Sequence, residues 1–126
     1  MNVLIVALGA VTDTELSEAE VLVVAPALNS RLRRWLSDED EARRRAERLV
    51  EAFVEPLRRS GVHAEGRVGD ADPLLAIADA LPTFPADEIV IAGRPAGLRE
   101  LDNLVSRMRE RFALPLRGTE SLMRAA

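Results

Sequence analysis

Apolar positions along the chain fall into two patterns, short unbroken runs and longer stripes at helical spacing. Residues 1–8, 21–25 and 89–92 are nearly continuous apolar runs rich in Val, Ile and Leu. Such runs are expected of parallel strands that are covered on both faces of a sheet. Residues 62–68 alternate between apolar and polar side chains, which is typical of a strand closer to solvent, such as an edge strand.

Helical signals separate these runs. Apolar residues recur three and four apart from Ala42 to Leu57, after a capping signal at Ser37, and Gly61 is expected to close this helix. Asp72 followed by Pro73 indicates the start of a second helix, with Asp72 as its N-cap and Pro73 in its first turn. A third stripe spans residues 98–112. Alternating strands and helices imply parallel βαβ units with right-handed crossovers. At 126 residues, we predict one α/β domain over residues 1–126.

The connection between the first two strands is short. Residues 9–19 must cross over from one strand to the next, close to the lower limit for a parallel connection. Thr12 and Glu15 have capping-box spacing, so we predict a helix of only one or two turns there. A crossover this short leaves the order of the strands in the sheet open.

Composition excludes several classes of function. All 17 basic residues are Arg, and the chain has no Lys and no Cys. A P-loop and a Schiff-base enzyme both need a Lys, as does a response-regulator receiver domain. Disulfides, thiolate nucleophiles and sulfur-based zinc sites need Cys. No nucleophile and base can be paired, so we expect no enzymatic activity.

The chain carries no sign of a membrane or secretory segment. The apolar start is about eight residues long and has no basic leader, so a signal peptide is not expected. No stretch approaches the roughly 20 apolar residues of a membrane span. We expect a cytoplasmic protein that does not bind membranes.

Two carboxylates at a strand end offer a candidate metal site. Asp70 and Asp72 are two residues apart, and carboxylates are typical Mg²⁺ ligands. A helix cap explains Asp72 and a turn explains Asp70 without any metal. We favour that structural interpretation and expect no metal.

Two further features have structural explanations as well. Arg31, Arg33 and Arg34 beside Trp35 are a candidate nucleic-acid patch, but the net charge of −4 and the acidic residues that follow argue against it. His63 is the only histidine, and a strand surface explains it better than a catalytic role.

The middle of the chain resembles the universal stress protein family. The segments VLVVAPALNSRLRRWLSDEDEAR, GVHAEGRVGDADPLLAIADAL and FPADEIVIAGRP carry the resemblance, over about residues 21–95. The Arg-only, Ala-rich composition is typical of GC-rich bacteria such as actinobacteria. The resemblance implies a three-layer α/β/α, Rossmann-like fold of the adenine nucleotide alpha hydrolase type. Its parallel sheet would have the order 3-2-1-4-5, here with a truncated first helix and a weak fifth strand near residues 114–117, interrupted by Pro115.

The resemblance also implies where a ligand would bind, and the sequence departs from the family there. Members that bind ATP hold it at the carboxyl ends of the first and fourth strands, where the switch-point rule also places a ligand. Their Asp after the first strand is replaced by Leu8, and no Gly-Ser/Thr pair follows Gly93 and Gly97. We therefore expect a non-catalytic module without the usual ATP site, acting through a protein partner or as a homodimer.

The alternative is a divergent nucleotide-binding protein. ATP or AMP would then lie in the crevice between the first and fourth strands. The residues available to hold it are Gly9, Asn29, Gly93, Arg94 and Gly97. The resemblance implies dimerisation through the fifth strand, which the weakness of that strand puts in doubt.

Overall fold

The structure, a computed structural model, describes residues 1–9, 20–27, 39–93 and 98–118. Five strands and three helices lie within them. In chain order they are β1 (Asn2–Ala7), β2 (Glu20–Pro26), α1 (Glu39–Arg59), β3 (His63–Gly69), α2 (Pro73–Ala80), β4 (Glu88–Ala92), α3 (Leu98–Arg111) and β5 (Leu116–Gly118).

The strands form one parallel sheet in the order β3-β2-β1-β4-β5. The central strand β1 pairs with β2 and with β4, so the chain reverses its direction of winding at β1. The predicted strand order is confirmed, and the short first connection does not alter it. The predicted crossover helix in residues 10–19 lies outside the described residues.

Both faces of the sheet are buried, which explains the continuous apolar runs. Successive side chains of a strand point to opposite faces. Along β1, Leu4 and Val6 pack with α2 and α3, whereas Val3 and Ile5 pack with α1. The three-layer architecture is therefore confirmed.

The helix boundaries follow from local capping. The α1 helix ends at Arg59 and is closed by Gly61, whose φ of 86° favours glycine. The Val62 amide donates to the Leu57 carbonyl at 3.0 Å. The α2 helix begins at Asp72, whose carboxylate accepts from the Leu74 amide at 3.0 Å, with Pro73 in the first turn. Both boundaries match the sequence signals.

The fifth strand lies slightly later in the chain than predicted. It comprises Leu116–Gly118, and Pro115 precedes it instead of interrupting it. The Pro115 carbonyl accepts a hydrogen bond from the Ile89 amide at 2.9 Å, a role that needs no N–H from the proline. The strand is short, as expected, and the Glu88–Arg117 ion pair, at 2.7 Å, ties it to β4.

Candidate functional site

The carboxyl end of β1 is the position where the fold favours a ligand, and an apolar side chain stands there. The Leu8 amide donates to the Ala92 carbonyl at 2.8 Å, which extends the pairing of β1 with β4 by one residue. The Leu8 side chain is 6% exposed and belongs to the core cluster that includes Leu104 and Met108 of α3. Leu8 therefore packs in the core and offers no hydrogen-bonding group to a ligand.

The carboxyl end of β4 is packed directly against the end of β1. Gly93 has a φ of 82°, a conformation that favours glycine. A Cβ on Gly93 would overlap the backbone N, C and O of Gly9. The two glycines thus let the segments after β1 and β4 meet backbone to backbone, and this contact takes up space at the mouth of the crevice.

The predicted ligand-binding residues are only partly described. Gly9 and Gly93 lie next to each other. Asn29, Arg94 and Gly97 lie outside the described residues, as do Arg31, Arg33, Arg34 and Trp35. The two glycines supply backbone groups alone, so among the five predicted residues a side-chain contact to a nucleotide could come only from Asn29 or Arg94.

The two carboxylates after β3 have structural roles. The Asp70 carboxylate accepts from the Asp72 amide at 2.9 Å, and the Asp72 carboxylate accepts from the Leu74 amide at 3.0 Å. Together they shape the turn between β3 and α2. Within residues 1–9, 20–27, 39–93 and 98–118, no group of three or more His, Asp or Glu side chains is arranged to hold a metal ion.

A shallow groove lies beside β3, on the face covered by α1. Its volume is about 460 Å³, and its lining comprises Val50, Glu51, Val54, Glu55, Arg58 and Gly66. A Cβ on Gly66 would overlap Val50, so the glycine lets α1 approach the strand closely. The groove was not predicted from the sequence, although a glycine inside an otherwise alternating strand is a signal of close approach.

Among the described helices, none is both long and apolar enough to cross a membrane.

His63 is exposed at the start of β3, where the strand-surface interpretation placed it.

Comparison with known proteins gives a structural likeness without a sequence match. No family model matches the chain, and no curated protein matches it. A solved structure of a universal stress protein family protein from Arabidopsis thaliana, with AMP bound, superposes with a TM-score of 0.60 at 16% sequence identity. The superposition covers 94% of this chain and 90% of the plant protein.

The chain has the universal stress protein fold. The likeness extends to nearly the full length of both chains, beyond residues 21–95, over which the sequence resembles the family. At this level of identity, the likeness establishes the architecture and the strand order. It does not establish a ligand, because function depends on particular site residues and not on the fold.

Proposed function

We propose that this chain is a non-catalytic universal stress protein-like module of bacterial origin, without the usual ATP site, that acts in the cytoplasm through contacts with proteins. The observation that carries the proposal is the burial of Leu8 at the carboxyl end of β1. A ligand in this crevice would meet a leucine in the place of the Asp that ATP-binding members of the family carry.

The contact between Gly9 and Gly93 supports the same proposal. A phosphate cradle requires several consecutive N–H groups directed into open space. At the mouth of this crevice, the backbone of Gly9 lies against Gly93. Phosphate groups placed here would meet the backbones of Gly9 and Gly93, which lie against each other.

Calorimetry with ATP, AMP and cyclic AMP tests the proposal on the purified full chain. We expect no heat of binding beyond dilution at nucleotide concentrations up to about 1 mM, which corresponds to less than about 4 kcal/mol of binding free energy. Micromolar binding of any of the three would contradict the proposal. Mass spectrometry of the protein under native conditions, directly after purification, checks for a nucleotide that had copurified.

The alternative is a divergent nucleotide-binding protein, and one observation favours it. The plant protein with the same fold has AMP bound. In this alternative, Gly9 and Gly93 would approach the phosphates, while Asn29, Arg94 and Gly97 would supply the other contacts.

A pair of charge variants separates specific from adventitious nucleotide binding, should any be detected. Arg94→Glu places a negative charge where the alternative requires a phosphate contact, and Arg107→Glu makes the same change on the exposed surface of α3. The alternative requires that binding be lost in the first variant and kept in the second. Equal loss in both would indicate non-specific attraction to the arginine-rich surface.

A further inference from the structure

The outer edge of β3 has its backbone groups directed away from the sheet. In a parallel strand, successive residues direct their N–H and C=O groups to alternate sides. The Ala27 amide donates to the Gly69 carbonyl at 3.3 Å, so Gly69 faces β2, as do the residues two and four positions before it. Ala64, Gly66 and Val68 therefore direct their backbone groups outward.

Within the part of the chain that the structure describes, β3 ends the sheet and has no strand on its outer side. The Ala64 carbonyl accepts a hydrogen bond from Arg58 Nε at 2.8 Å, which leaves its second lone pair available. Among the described residues, the N–H and C=O groups of Gly66 and Val68 make no backbone hydrogen bond outside the pairing of β3 with β2. In the described part of the chain, Gly66 and Val68 can therefore pair with a further strand through both N–H and C=O. The Ala64 carbonyl can accept one more hydrogen bond.

The side chains along this edge are complementary to a second copy of themselves. Glu65 and Arg67 are both exposed and flank Gly66 on the face away from α1. If two copies of β3 pair antiparallel about a two-fold axis at Gly66, Glu65 of each copy lies opposite Arg67 of the other. Side chains opposite each other in such non-hydrogen-bonded pairs have Cβ atoms about 4.5–5.5 Å apart, and opposite charges there stabilise the pairing.

The backbone permits the register centred on Gly66, and the charges favour it over the two adjacent registers. With the axis at Gly66, the residues that face outward become the hydrogen-bonded pairs, Gly66 with Gly66 and Ala64 with Val68. Moving the axis to Glu65 or to Arg67 places two like charges opposite each other, which is unfavourable. Charged residues on an edge strand often prevent pairing, but this arrangement disfavours the two adjacent registers and favours the one centred on Gly66.

The groove beside Gly66 belongs to the same surface. Val68 is half-buried and points to the α1 face. In the register centred on Gly66, Val68 of one copy lies next to Ala64 of the other, beside the groove walled by Val50 and Val54. Val68 of each copy would thus lie beside the groove of the other copy while it packs against its own core.

We propose that β3 is a self-association surface, through which two copies of this chain pair antiparallel about a two-fold axis at Gly66 to form one continuous sheet. The interface is isologous, since each copy contributes the same residues. The inference stands apart from the proposed function, because a nucleotide-binding chain could pair in the same way and a chain that binds none need not pair.

Charge reversal with rescue tests the register. Sedimentation equilibrium at low salt, where exposed charges are least screened, should show a dimer for the full-length chain. Glu65→Arg and Arg67→Glu each turn two attractive pairs into repulsive ones and should weaken the dimer at least about tenfold. The double variant E65R/R67E restores opposite charges across the axis and should recover the dimer.

The control variant is Glu110→Arg, which reverses an exposed charge on α3 and should leave the dimer unchanged. Circular dichroism should show that all the variants are folded. A monomer at about 100 μM, or a dimer that withstands both single reversals, would overturn the proposal; the latter result would indicate a different interface.

Engineered cysteines give a second readout that depends on position. The chain has no cysteine, so Glu65→Cys and Arg67→Cys each introduce a single thiol. Across the proposed axis, position 65 faces position 67, within reach of a disulfide. Under mild oxidation, a mixture of the two variants should crosslink faster than either variant alone. Equal rates in the mixture and in the separate variants would contradict the register.

Discussion

The backbone of Gly9 lies against Gly93 and leaves no room for a side chain there. This contact joins the segments that follow β1 and β4, the two strands between which the fold favours a ligand. It combines two requirements for glycine at position 93, a positive φ and a close neighbour. The contribution of each requirement to the free energy of unfolding can be measured separately.

Gly93→Ala should lower the free energy of unfolding by more than Gly61→Ala. Both glycines have a positive φ, and an L-residue in that conformation costs about 1–2 kcal/mol. A Cβ at Gly61 has nothing within 4 Å, whereas one at Gly93 overlaps Gly9. Overpacking adds about 1–3 kcal/mol. Urea denaturation of both variants gives the two values, and equal losses would show that the Gly9 contact contributes nothing.

Leu8→Asp, which introduces the residue that ATP-binding family members carry, should not create a nucleotide site. The side chain at position 8 packs in the core, and an unpaired carboxylate there is strongly unfavourable. Leu8→Ala should cost about 2–5 kcal/mol, and Leu8→Asp more. Denaturation followed by calorimetry with ATP checks both statements. A folded Leu8→Asp variant that bound ATP would contradict them.

Leu75→Ala is the matched control for position 8. Leu75 lies on α2 and is 42% exposed, so shortening its side chain should change the free energy of unfolding by no more than about 0.5 kcal/mol. A large loss in the control would mean that burial is not what distinguishes the two leucines.

Asp72→Ala should destabilise the protein by about 0.5–2 kcal/mol through the loss of an N-cap. The Asp72 carboxylate accepts from the Leu74 amide, whereas Asp79 is exposed on the same helix. Asp79→Ala should therefore have little effect. The melting temperature should also be independent of Mg²⁺. A rise in melting temperature with Mg²⁺ that disappears in Asp72→Ala would instead support a metal site at Asp70 and Asp72.

Most of the fold was predictable because its signals are local. The continuous apolar runs require burial on both faces of the sheet, and the alternating run of β3 requires an edge position. Asp72 and Gly61 fixed their helix boundaries through hydrogen bonds and backbone conformation within a few residues. The first residue of each strand shifted by only one or two positions, because strand ends depend on partners.

The contacts at the candidate site were not predictable, because they depend on register between distant segments. Gly9 meets Gly93 only after β1 has paired with β4, and Glu88 meets Arg117 only after β4 has paired with β5. The apolar residue at position 8 was visible in the sequence, but its membership in the core beside α3 was not. Glycine and leucine occur at strand ends for many structural reasons, and no spacing in the sequence distinguishes one of these reasons from another.

Arg117→Ala should loosen β5 without unfolding the domain. Arg117 Nε donates to Glu88 Oε1 at 2.7 Å, and the Glu88 side chain is 15% exposed against 54% for Arg117. Ion pairs as exposed as this one typically contribute about 0.2–1 kcal/mol, so the melting temperature should fall only slightly. Because β5 has only three residues, the loss of the pair should be most visible at this strand. Hydrogen exchange should therefore accelerate in residues 116–118 while β1 stays protected. Arg109→Ala, on the exposed surface of α3, is the control, and equal acceleration in both variants would show that the ion pair does not hold the strand.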